Sequence, residues 1–231
     1  MEVNGYRIEA RADLEGAVLT DAYLVKANLE RANLVGADLS RANLRDANLR
    51  GANLFVGDLH AADLSRADCS HTNLGQADLT EAKMFRTNLF AASLVRVRLL
   101  FADLHDASLE RAVLIGARLR SAVLERANLR RANLEGAFLR DARLGDAVLT
   151  KSSLANADLE EAILRGADLS SVDLSHASLK GADLRGANLT HANLAHADLT
   201  NAILSEANLT GADLASAILT GAILPDRSVH R

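Results

Sequence analysis

Large rings are almost missing from this chain: Phe, Tyr and Trp together make 3% of its 231 residues, and Trp is absent. That excludes the ring-filled interior of an irregular globular domain, so Ala and Leu must build the core, which favours a narrow core of uniform cross-section. Cysteine occurs once, at Cys69, which excludes an internal disulfide framework and any zinc site made of several thiolates. Long apolar runs are missing too, none approaching the ~18 residues of a membrane span. The opening MEVNGYRIEARADL carries Glu2 and Glu9 and has no apolar leader stretch, so a soluble cytoplasmic protein is expected. What remains, 49% apolar with 24% charged residues, is the composition of a folded chain.

The apolar residues obey a strict period. From Ala12 every fifth position through Ala222 is small, and 37 of these 43 are Ala; the exceptions are Gly57, Thr72, Thr87, Val97, Ser152 and Val172. Two residues later stands Leu in 41 of 43 cases, replaced only at Cys69 and Met84. No insertion breaks the register, so residues 12–224 form one array without a linker. Propensity favours helix for Ala and Leu, but the period overrules it: five residues on an α-helix advance about 140° net, which would wind the Leu series around every face. In extended backbone, residues two apart share a side, so Ala and Leu face inward together. An odd repeat then forces a corner in every unit, and stacked coils pair at the ~4.8 Å strand spacing.

This tandem A(D/N)LXX pattern resembles the pentapeptide-repeat family over more than nine-tenths of the chain. The resemblance implies an all-β, right-handed quadrilateral parallel β-helix with four units and twenty residues per coil. Residues 12–224 would then make about eleven coils, a rod of roughly 50 Å. Asp or Asn precedes the central Leu in 25 of 43 units, which suits short polar side chains bonding nearby backbone at turns. Residues 1–11 depart from the period and offer Tyr6 and Ile8 as an N-terminal lid; Pro225 stops the array, leaving 225–231 as a short tail. Solenoid ends need such covers.

Chemistry-bearing motifs are lacking: no metal-binding, phosphate-binding or dinucleotide signature is present, and glycines such as Gly181 and Gly186 occupy corners just before Ala. His176 and His196 stack at twenty-residue spacing with His191 on the neighbouring corner. Zinc needs three or four converging ligands, so no metal and no cofactor are expected. Cys69 replaces a central Leu and should be buried and inert. An outer face offers no cleft to orient a triad, so no catalysis is expected.

Unrolled at twenty residues per coil, the surface reads in columns. Asp38, Asp58 and Asp78 form an acidic ladder, either because Asp suits this turn position or because it imitates a phosphate backbone. Charge is segregated: residues 1–80 carry net −4, 81–151 net +5 and 152–231 net −5. In the basic middle, Arg98 stacks on Arg118 and Arg120 on Arg140, with Arg96 at the adjoining corner. The reading is open between a solvated face and a patch for an acidic partner. Val35, Phe55, Val95 and Ile115 share one outward column interrupted by Gly75, and Phe85, Phe90, Leu100 and Phe101 lie at outward positions of the same region. Apolar anchors beside Arg are the make-up of interface hot spots. At the far end, Ile203 and Ile223, with Ile218 around the corner, are candidates for a homodimer contact.

One branch of the family resembles B-form DNA, binds DNA gyrase and confers quinolone resistance. This chain departs from it in its Leu-rich centre, uninterrupted coils, short tail and basic middle. It looks more like the uninterrupted pentapeptide proteins of cyanobacteria and other bacteria, at least one of which acts by binding regulatory proteins. The expectation is a non-enzymatic, rigid interaction module whose partner is another protein, with gyrase binding through the acidic columns as the alternative. Direct nucleic-acid binding is disfavoured, because few aromatics flank the basic residues to stack bases.

Overall fold

The computed structural model describes residues 1–230, so Arg231, the last residue of the 225–231 tail, lies outside the described residues. Among the described residues there is no helix. From Asp13 onward the chain pairs with itself through parallel β-bridges at a constant offset of twenty residues, Asp13 with Asn33, Asn33 with Asn53, and so on to Ile203 with Ile223. That offset gives four five-residue sides per coil, and the Leu residues twenty apart define four faces. The second face is the one through Leu39, Leu59, Leu79, Leu99, Leu119 and Leu139.

Each side uses nearly all its backbone donors in the same way. Leu14 N–H donates to Asn33 O at 2.7 Å, Gly16 N–H to Val35 O at 2.9 Å and, in the other direction, Asn33 N–H to Ala12 O at 2.9 Å. Ala17 N–H closes the corner on Leu14 O at 3.0 Å. One donor per unit is left over, that of the residue after the central Leu. Asp or Asn two residues earlier accepts it: Asp58 Oδ1 takes the His60 N–H at 2.9 Å and Asp78 Oδ1 the Thr80 N–H at 3.0 Å. This is the physical reason for the A(D/N)L habit, since an unpaired backbone donor beside a packed wall costs stability.

The corner itself demands left-handed backbone. Every fifth residue from Gly16 to Gly221 has φ between 52° and 72°, whether Gly or not. Inside, the Leu column is dry: Leu19 through Leu204 are essentially unexposed, as are Met84 and Cys69 in its place. Burial pushes the Cys69 thiol far above its ordinary range. Where Ala gives way to a hydroxyl residue, the oxygen is satisfied at once: Thr72 and Ser152 donate to the carbonyls of Cys69 and Leu149 at 2.5 and 2.7 Å, and Thr87 to that of Leu64 at 2.8 Å.

The N-terminal residues form a two-stranded antiparallel hairpin, β1 (Glu2–Val3) and β2 (Tyr6–Arg7), turned by Asn4 and Gly5, both at positive φ. Asn-Gly is the pair that a tight hairpin turn prefers. Ile8 is buried and Tyr6 half-buried over the first coil, with the Tyr6 hydroxyl accepting Val18 N–H at 3.3 Å. At the other end the tail folds back: Val229 bridges Ile223 in antiparallel sense, and Glu206 N–H reaches Pro225 O at 3.1 Å. Around the rest of the last coil the edge is open, and Leu209, Leu214 and Leu219 are partly exposed.

Candidate interaction surface

The second face changes character halfway along the rod. Its bridging column runs Asp38, Asp58, Asp78, Arg98, Arg118, Phe138, Asp158. The acids at either end are occupied by their own turns. Ser40 and Thr20 donate their hydroxyls to the two Asp38 oxygens at 2.6 Å each, and with the Ser40 N–H they hold this carboxyl below the usual carboxylate range against a smaller desolvation effect. The Arg126 guanidinium does the same for Asp106. Both groups have folded values below the ordinary 3.8, so their contribution is complete above that pH and is lost as pH falls through the folded value. The melting temperature should be level from about pH 7 to about pH 5 and decline below about pH 4, and Asp38→Asn, which keeps the acceptor but does not titrate, should shrink the decline.

In the middle the turn acceptors vanish. Residues 98, 118 and 138 are Arg, Arg and Phe, so the N–H groups of Leu100, Arg120 and Arg140 have no acceptor in the chain among the described residues. A groove of ≈ 560 Å³ opens here along the corner between the first and second faces. Gly116 and Gly136 are its floor, and nothing lies within 4 Å of where a Gly136 side chain would begin. Arg98, Arg118 and Phe138 form one wall, and Arg96 and Gln76 close one end. An adjoining hollow of ≈ 310 Å³ is lined by Leu100, Phe138 and the stems of Arg118 and Arg120.

Exposed charge differs among the five arginines singled out by the sequence. All five are exposed. Arg140 pairs with Glu160 at 2.7 Å, Arg120 with Asp141 at 3.4 Å and Arg98 loosely with Asp78 at 3.5 Å. Arg96 and Arg118 have no ion-pair partner among the described residues. Phe101, 58% exposed, stands on the corner beyond Arg120. A comparable hollow on the third face is neutralised: Arg143 is bound to Glu125 at 2.6 Å and Arg165 to Asp183.

The apolar column lies on the first face, alongside the Arg96 corner. Val35, Phe55 and Val95 are half-buried and Ile115 exposed. Gly75 does not interrupt it: the Phe55 ring lies 3.2 Å from the point where a Gly75 Cβ would sit, so one ring spans two rungs. Phe85 and Phe90 belong elsewhere, on the third and fourth faces. Phe85 stacks on His105 at 4.4 Å and Phe90 meets the His71 edge at 5.6 Å. His176 and His196 stack in parallel at 4.8 Å. At the C-terminal end, Ile218 is exposed while Ile203 and Ile223 are half-buried, Ile223 under the returning Val229. Phe138, 51% exposed, was not among the expected residues. Its signal was a ring at a position where Asp or Asn is the habit.

A family model described as pentapeptide repeats matches in eight copies spanning residues 12–51, 62–99, 92–131, 102–141, 127–166, 167–205 and 187–225. Among solved structures, the chain is similar to HetL, a pentapeptide repeat protein involved in heterocyst differentiation regulation from the cyanobacterium Nostoc sp. strain PCC 7120, with 38% identity over 86% of this chain and 92% of that one, at a TM-score of 0.46. A pentapeptide repeat protein of the Arabidopsis thaliana thylakoid lumen is 32% identical over 45% of this chain and 68% of that one, at a TM-score of 0.32. QnrB1, a plasmid-mediated fluoroquinolone resistance protein, is 16% identical over 74% of this chain and 90% of that one, at 0.35. No curated protein matches. With the repeat model aligned along most of the array, and the array paired to itself at a constant offset of twenty residues, the chain belongs to the pentapeptide repeat family.

Proposed function

We propose that this protein is a non-enzymatic, rigid solenoid, a right-handed quadrilateral coil of about eleven turns, that serves as a protein interaction module. The partner is another protein, held on the middle of the second face and the adjoining corner by Arg96, Arg98, Arg118 and Arg120, with Phe101 and the Val35–Phe55–Val95–Ile115 column as apolar anchors. The observation that carries this reading is the uncompensated charge of Arg96 and Arg118 beside exposed Phe138, on a wall whose flanking units at Asp38, Asp58, Asp78 and Asp158 are closed by their own carboxylates. Free cations next to an exposed ring are the anchors that interfaces use. A stiff backbone adds to this by presenting them without an ordering cost on binding.

Gyrase binding by mimicry of DNA has less support in this geometry. The acidic ladder of Asp38, Asp58 and Asp78 ends abruptly at Arg98 on the same face, and its carboxylates are engaged by their own turns. A homodimer through the last coil would rest on Ile218 and the open edge, because Val229 already covers Ile223.

Affinity capture from the native host with the wild-type chain and with Arg98→Glu/Arg118→Glu tests the surface. Loss of the captured partner in the variant, with an unchanged melting temperature, is expected. Equal recovery by both proteins overturns the assignment.

A further inference from the structure

The fold displays its own carboxylate receptor many times over. In ordinary units the N–H after the central Leu is filled by an Asp or Asn oxygen at close to 3 Å: Asp58 to His60, Asp78 to Thr80 and Asp158 to Glu160, at 2.9, 3.0 and 3.1 Å. In the three consecutive second-face units between Asp78 and Asp158 that oxygen is missing and the donor remains, at Leu100, Arg120 and Arg140. Where the carboxylates would stand are Arg98, Arg118 and Phe138. The same wall therefore offers backbone donors along its edge with the third face and, at Arg118 in its middle and Arg96 on its corner with the first face, guanidinium groups with no ion-pair partner among the described residues. A hydrogen bond to a charged acceptor contributes more than a neutral one, and guanidinium and amide converging on one carboxylate reinforce each other.

We propose, resting on the interaction surface above, that the second-face wall between this groove and the adjoining Leu100–Phe138 hollow is a receptor for a short acidic segment of a partner protein in extended conformation. Its carboxylates take the place that Asp side chains hold in neighbouring coils. One carboxylate sits on the Arg120 N–H and the Arg118 guanidinium, and an apolar side chain of the same segment lies against Phe138 and Leu100.

Dimensions and charge select this occupant. From Gln76 to Gly136 the corner climbs three rungs, about 14 Å, the length of some four extended residues. A duplex would bring about eight phosphates over that distance. The groove offers three arginines, one of them leaning on Asp78, and the second-face column continues into Asp78 and Asp58 on one side and Asp158 on the other, which repel a continuing phosphate chain. The third-face hollow has the same missing acceptors, but its arginines are already bound to Glu125 and Asp183.

The experiment is fluorescence anisotropy of the full chain with a short labelled peptide alternating glutamate with leucine, compared with its glutamine counterpart and a single-stranded oligonucleotide of similar length. Binding of the glutamate peptide, weakened by salt and at least about tenfold tighter than the glutamine peptide, is expected. Two neutral variants isolate the backbone seat. Arg118→Asn has the reach to cap the Arg120 N–H, whereas Arg118→Gln is one methylene too long, so the asparagine variant should lose about tenfold and the glutamine variant markedly less. Both should melt at or above the wild-type temperature. No discrimination between the peptides, equal losses in the two variants, or tighter binding of the oligonucleotide overturns the proposal. If Arg98→Glu/Arg118→Glu loses the captured partner while the glutamate peptide fails to bind, the interaction surface stands and the carboxylate seat falls.

Discussion

Leu119→Ala is expected to cost about 3 kcal/mol, while the same change at Leu219 costs under about 1 kcal/mol. Leu119 is fully buried at mid-rod, and its N–H donates to Phe138 O at 2.7 Å in the next coil. Removing its branched end leaves a cavity that the surroundings cannot close, because the backbone is held from above and below by ladders of fixed rise. Leu219 lies in the last coil, partly exposed, with no coil beyond it. There the lost transfer energy is smaller and solvent fills the space. The contrast is a property of one-dimensional architecture, in which each coil contacts only its neighbours. Urea denaturation of both variants measures it, and equal costs would mean that the last coil is packed as tightly as the middle.

The period made the fold legible, because every unit repeats the same decision about which side chains face in. Two residues in five are buried, with a corner in every unit; closure after twenty residues is what the resemblance to the pentapeptide-repeat family implies, and the bridges from Asp13 to Ile223 have that offset. The turn role of Asp and Asn was legible for the same reason. The surface was legible only in part. Strict columns capture pairs twenty apart, such as Arg140 with Glu160, but side chains also lean diagonally: Arg143 reaches Glu125 eighteen residues away and Arg120 reaches Asp141 twenty-one away. Which arginines remain free depends on those diagonals. A column of letters therefore named Arg96, Arg98, Arg118, Arg120 and Arg140 alike, whereas the geometry separates Arg96 and Arg118 from the rest. Phe55 over Gly75 was hidden similarly, since a gap in the letters is a contact in space.

One unit breaks the corner rule in both of its residues, and reversing the break should raise stability by about 2 kcal/mol. Most glycine corners read Gly-Ala, as in Gly36-Ala37 and Gly116-Ala117, but residues 56 and 57 are Val and Gly. Val56 has φ 52°, 45% exposed, so a β-branched side chain occupies left-handed backbone and has little burial to offset the strain. Val56→Gly removes a penalty of roughly 1–2 kcal/mol, less the entropy that a glycine adds to the unfolded chain. Gly57 needs no special φ, and a Cβ there would lie 3.1 Å from Leu54 O and 3.7 Å from Leu59 Cδ1. That contact is close, yet Ala fills the equivalent position in 37 of 43 units with the same turn bond beneath it. Gly57→Ala should therefore gain about 1 kcal/mol from reduced unfolded-state freedom and a buried methyl. The residues adjoin, so the two singles and the double must be measured together. The double variant should melt roughly 4–8 °C higher if the rod unfolds cooperatively. A double variant no more stable than the wild type would show that this corner differs from the others in a way the shared backbone does not explain.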